Sequence, residues 1–137
     1  CMPGGGSRCP ARAESVESRQ HFLKMNGRET FKRAVKAMAL AAERLLEKCQ
    51  ISVDQVKLFF PHQANIRIIE AMAEYAHLSL ERFWVVLSRT GNTSSASVGI
   101  ALKDAVSKNQ LQENDFAVLV AFGGGMTSGA ALLRFLR

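Results

Sequence analysis

Three short segments of this chain carry residue types suited to carbonyl chemistry. His62 follows the apolar run Val56–Phe60 and Pro61 and opens the box His62-Gln63-Ala64-Asn65. An imidazole placed between a strand and the first turn of a helix meets the positive helix end. That end disfavours a second proton and leaves a neutral ring with one N–H to donate. Asn92, in Gly91-Asn92-Thr93, offers a carboxamide as a second neutral donor. Two neutral donors aimed at one carbonyl oxygen stabilise an enolate. The run Gly123-Gly124-Gly125 has no Cβ atoms, so its backbone N–H groups can approach a ligand closely, as an oxyanion hole requires. It is not a phosphate loop, because it lacks a Gly-Lys-Ser/Thr ending and joins two strands. Each segment has a plainer reading: a packing histidine, a Gly-Asn turn, a hinge. Their combination in one fold is the stronger signal.

The elements that must position these residues are legible from periodicity. Phe31, Val35, Met38, Ala42, Leu45 and Cys49 recur at spacings of three and four, which predicts a helix over about 28–49 with Cys49 on its apolar face. Val56–Phe60, ended by Pro61, reads as a buried strand, and Ile66, Ile69, Met72 and Ala73 as a helix reaching about Ala76. Ser79 caps a short turn over 80–83, and Trp84–Leu87 is a second strand-like run. A loop over Arg89–Ser95 opens a small-residue helix to about Lys108, and Phe116–Phe122 and Ala130–Leu136 are strands joined by the glycines. Alternation of this kind implies a layered α/β fold, with a mixed, mostly parallel sheet closed by a C-terminal antiparallel strand pair. In such sheets polar groups gather beyond the carboxyl ends of the strands. His62, Asn92 and Gly123–Gly125 all fall there.

Composition narrows the function classes. The chain has 137 residues, 47% hydrophobic and 22% charged, the balance of one globular domain or part of one. No apolar run reaches the about 18 residues of a membrane span, and the opening Gly/Pro/Arg mixture has no signal-peptide core. Three cysteines, Cys1, Cys9 and Cys49, form no C-x-x-C pair, which argues against a disulfide scaffold and against a metal site. The net charge is +6, most of it within residues 1–36. A basic surface meets nucleic acid, anionic lipid or an acidic protein. Nucleic acid is disfavoured because no aromatic residues interleave with the basic ones.

The segments PHQANIRII (61–69), RTGNTSSAS (89–97) and AFGGGMTSGAALLRF (121–135) resemble the C-terminal half of beta-ketoacyl-acyl-carrier-protein synthase III, a thiolase-fold condensing enzyme of fatty-acid synthesis. LKMNGRETFKRAV (23–35) is similar to that family's lead-in to its long helix. The resemblance covers nearly all of residues 20–137. It implies residues 1–20 as a loop or extended lead-in and 21–137 as the C-terminal thiolase-like domain. It also implies a Cys-His-Asn triad whose His and Asn would be His62 and Asn92. They would hold the thioester carbonyl of malonyl-acyl carrier protein while carbon dioxide leaves, and the enolate would attack an acyl group carried on the cysteine. Gly124 would supply an oxyanion-hole N–H, Phe122 would pack beside the triad, and Asn65 would line the pantetheine tunnel. Arg67 would contact the acidic carrier protein. Ser128 departs from the Trp frequent in the family's closing box, which alters the pocket wall.

The same resemblance implies CoA and acyl-carrier-protein thioesters as substrates, no cofactor, and a homodimer when complete. The setting is the cytoplasm, or a plastid or other organelle. None of the three cysteines matches the family nucleophile, which sits in a small-residue context in the N-terminal half. The expectation is therefore a fragment, or one product of a split gene, inactive in condensation alone and paired with an N-terminal half. Without that half, an apolar face including the small residues of 95–108 should be exposed. A non-catalytic subunit that binds a carrier protein is the alternative. Relatives that make quinolones or long-chain ketones share these boxes.

Overall fold

The computed structural model describes residues 3–136. The chain divides into two compact units, one running to Thr30 and one from Phe31 onward. The first unit holds α1 (Ala13–Glu17) where a loop or extended segment was expected. Ser15 accepts the Arg12 N–H at 2.8 Å and closes the first turn. Gly4 donates to the Gln20 carbonyl, and Gly6 bridges Cys9. Asn26 accepts the Glu29 N–H at 3.2 Å, which satisfies one of the free donors at the start of α2 (Gly27–Cys49).

The second unit is a layered α/β domain. Its sheet has the order β1-β2-β3, with β1 (Val56–Pro61) parallel to β2 (Phe116–Gly123) and β2 antiparallel to β3 (Thr127–Arg134). One face packs Phe59, Val118 and Val120 against Met38, Ala42 and Leu46 of α2 and against Ile69, Met72 and Ala73 of α3 (Ile66–Tyr75). The other packs Leu58, Phe60 and Ala117 against Ala101 and Ala105 of α5 (Ala96–Ser107). Burial on both faces explains why β1 reads as a nearly unbroken apolar run. A bulge at Lys57 shifts the register between Val56 and Leu58, so Val56 joins the face of Phe59 despite its even position.

The segment expected as a strand at Trp84–Leu87 is reduced to a parallel bridge. Phe83 pairs with Phe59, Trp84 donates to the Phe59 carbonyl at 2.9 Å, and a four-residue helix, α4 (Leu87–Thr90), follows at once. Cys49, expected on the apolar face of α2, is exposed. Cys49 is the last residue of α2, and Leu46, one turn earlier, takes the last buried position instead. In α5 the small residues divide between two environments: Ser97, Ala101 and Ala105 are buried, while Ala96 and Gly99 are exposed. Among the described residues, no helix is long and apolar enough to cross a membrane.

Candidate active site

A cavity of about 450 Å3 opens where β1 and β2 end. Its walls are His62, Ser94, Ser95 and Val98 on one side and Ala121–Gly124 with Thr127–Gly129 on the other. The ladder carries over from β1 into this site, because the His62 N–H donates to the Val120 carbonyl at 2.8 Å. The imidazole is thereby pinned one residue past the strand. Its Nδ1 lies 2.6 Å from the Ser97 hydroxyl, on the first turn of α5. Burial pushes the His62 pKa below its ordinary value of 6.5. A neutral ring was expected from the helix N-terminus; the direction agrees, but desolvation is the cause.

The low pKa has a measurable consequence. As pH falls through 6.5, the unfolded chain takes up a proton at this position before the folded one does, so His62 makes folding less favourable there. Its contribution is undiminished above 6.5 and declines toward the lower, folded-state pKa. Urea unfolding from pH 7.5 to 5 should therefore show a shallower stability slope in His62→Gln than in the parent chain.

Gln63, next in sequence, is fully buried and serves the site as a scaffold. Its Nε2 donates to the carbonyls of Pro61 (2.9 Å) and Trp84 (3.1 Å), and its Oε1 accepts the Val86 N–H at 3.1 Å. Its own N–H donates to Ser97 Oγ at 3.2 Å. The sequence assigns no role to Gln63 and places Ser97 only among the small residues of a close-packing helix. A large amide immediately after a buried strand was the available signal.

The glycine run forms a tight 3-10 turn, Gly124–Met126, and Gly125 adopts φ 77°, a left-handed conformation suited to glycine. As the first residue of that turn, Gly124 has no acceptor for its N–H within the turn, and it lines the cavity. Phe122 and Ser128 line the cavity as well, Ser128 as an exposed small residue.

His62, Phe122 and Gly124 are thus brought together, whereas Asn92, Asn65 and Arg67 do not line this cavity. Asn92 is exposed, two residues ahead of Ser94 in the wall, and its Oδ1 accepts the Ser94 N–H at 2.9 Å. This Asx turn occupies the carboxamide oxygen and leaves the NH2 group to donate outward. Asn65 caps α3 by accepting the Arg67 N–H at 2.9 Å, and Arg67 is exposed on the first turn.

The loop bearing Asn92 is tethered through α4. Asp104 of α5 accepts hydrogen bonds from Arg89 (2.8 Å), Lys108 (3.0 Å) and the Trp84 indole (3.0 Å). Burial opposes its charge, but these three donors outweigh burial and hold the carboxyl at about 2. The stabilisation is present above 3.8 and is lost as pH falls through about 2. Asp104→Asn should lower the melting temperature at pH 7 and leave it unchanged near pH 2, as followed by circular dichroism.

Comparison with known proteins agrees with this architecture. Residues 46–135 match the family model described as 3-Oxoacyl-[acyl-carrier-protein (ACP)] synthase III C terminal. Over 134 residues the chain is 47% identical to the Beta-ketoacyl-[acyl-carrier-protein] synthase III of Roseiflexus castenholzii and 42% identical to that of Fusobacterium nucleatum. Each match covers 98% of this chain and 41% of the relative, so the chain spans about two fifths of their length. The crystal structure of the Thermus thermophilus synthase III superposes with a TM-score of 0.81 at 46% identity, over 84% of this chain and 36% of that one. The fold is accordingly thiolase-like, and the chain belongs to the 3-oxoacyl-acyl-carrier-protein synthase III C-terminal family.

Proposed function

We propose that this chain forms the malonyl-handling part of a decarboxylating condensing enzyme of fatty-acid synthesis. The observation that carries the reading is the cavity where the ends of β1 and β2 meet, with Gly124 and an anchored His62, its pKa lowered by burial, in its walls. A malonyl thioester enters with its carbonyl oxygen toward His62, on the side of the wall residue Ser94, and Asn92, two positions ahead of Ser94, supplies the second donor in this reading. The bond to the carboxylate breaks, carbon dioxide leaves, and the electron pair moves onto the carbonyl oxygen as an enolate. N–H groups of His62 and Asn92 stabilise that charge. The enolate carbon then attacks an acyl thioester, the new oxyanion is held by Gly124, and the thiolate departs.

The acyl-bearing thiol comes from another segment in this reading, since Cys49 does not line the cavity and the sequence context of Cys1 and Cys9 does not match that of the family nucleophile. We infer that this thiol belongs to an N-terminal half and that the complete assembly is a homodimer. Arg67, exposed at the first turn of α3, meets the acidic carrier protein, and Asn65 beside it meets the pantetheine arm. Phe122 packs at the reacting carbon. CoA and carrier-protein thioesters are the substrates, and no cofactor enters.

The test is co-expression with an N-terminal half that carries the cysteine, followed by assay of malonyl-thioester decarboxylation and of condensation with an acyl-CoA. Both activities are expected from the pair, and condensation is expected to be absent from this chain alone. A reconstituted pair that binds carrier protein but performs neither reaction would make the chain a docking subunit instead.

A further inference from the structure

We propose that Ser97 is a positioning residue that fixes His62 in the tautomer with a bare Nδ1 and its proton on Nε2. The inference rests on the proposed function only for its catalytic consequence; the tautomer itself follows from hydrogen-bond accounting. Ser97 is fully buried, and its hydroxyl has one hydrogen and two lone pairs. One lone pair accepts the Gln63 N–H at 3.2 Å. The hydrogen needs an acceptor. Ser107, near the C-terminal end of the same helix, donates to the carbonyl four residues earlier. Ser97 is only the second residue of α5, so the carbonyl four positions back lies ahead of the helix. Among the described residues, the acceptor within reach is Nδ1 of His62 at 2.6 Å.

The opposite arrangement fails on the same count. A proton on Nδ1 would make Ser97 Oγ accept twice and donate to nothing, leaving a hydroxyl hydrogen orphaned in a dry site. The cost of such an orphan corresponds to a preference of about 5- to 150-fold for one tautomer. An imidazolium would orphan the hydroxyl in the same way, so Ser97 also favours the neutral ring. With Nδ1 occupied, Nε2–H is the donor left for a ligand in the cavity. Ser97 thus prepares the proton that the enolate oxygen would receive as a hydrogen bond.

The experiment is long-range 1H–15N correlation spectroscopy of the full chain labelled with 15N-histidine, with His62 identified by the signals lost in His62→Ala. The expected spectrum shows Nδ1 as a bare nitrogen and Nε2 as an N–H. In Ser97→Ala the two tautomers should mix, and Ser97→Thr, which keeps the hydroxyl, should restore the parent pattern. A parent spectrum with Nδ1 protonated or with mixed tautomers would overturn the proposal whether or not the variants fold, as would an unchanged spectrum in Ser97→Ala. In the reconstituted enzyme, Ser97→Ala should lower kcat for decarboxylation about tenfold at unchanged KM. Should the tautomer be as expected while His62→Ala leaves decarboxylation intact, the proposed function falls and the tautomer assignment stands. A mixed parent tautomer with His62-dependent decarboxylation sinks this proposal alone.

Discussion

Replacing His62 with alanine should slow malonyl-thioester decarboxylation by the reconstituted enzyme about 100- to 1000-fold, the usual cost of removing one pre-aimed donor to a developing oxyanion. The effect should fall on kcat, because the bond to the enolate oxygen strengthens as charge builds up. Asn92→Ala should cost a similar factor, and the double variant much less than the product, since in the proposed mechanism both groups act on one oxygen. The two side chains are held in different ways: His62 by the Val120 carbonyl and Ser97, Asn92 by an exposed Asx turn. Stopped-flow measurement of carbon dioxide release separates their contributions. An unchanged rate in His62→Ala would dismiss the assigned chemistry altogether. A slow His62→Ala beside a normal Asn92→Ala would leave the imidazole as the sole side-chain donor.

The largest effect on stability is expected at Gln63. Gln63→Leu keeps the apolar bulk and removes an amide that serves the carbonyls of Pro61 and Trp84 and the N–H of Val86. Each buried backbone group left unpaired costs about 1–3 kcal/mol, so with three such groups a loss of about 3 kcal/mol or more is expected. Set against a typical total of about 5–15 kcal/mol, that approaches unfolding. Urea denaturation measures it directly, and a loss below about 1 kcal/mol would mean that these groups find other partners.

Gln63 also explains why the sequence was only partly legible at Trp84–Leu87. The run is β-branched and apolar enough to read as a strand, but pairing is confined to a bridge at Phe83 and one Trp84 N–H bond to Phe59. Beyond that point the amide of Gln63 takes the place of a neighbouring strand, accepting from Val86 and donating to Trp84. A side chain performing the work of a ladder leaves no alternation to detect. Elements held by periodicity were readable: the stripe of α2, the doubly buried β1, and the glycine-joined pair of β2 and β3. The fate of Cys49 was not, since spacing places it on the buried face and does not show that burial ends at Leu46.

The site was legible unevenly for the same reason. His62 and Gly124 follow directly from strand ends, so the sheet topology carries them to one cavity. Asn92 sits on a loop whose path is set by the Asp104 tether to Arg89 and Trp84, a contact between distant positions that no local spacing announces. Asn65 and Arg67 were read for their contacts with other molecules, and the capping bond between them was not foreseen.

The extra residue at Lys57 divides β1 into two frames. Ahead of it, Val56 pairs with Phe116; after it, Leu58 to Pro61 pair with Ala117 to Val120. The imidazole lies on the far side of that joint, in the second frame, which the His62 N–H extends to the Val120 carbonyl.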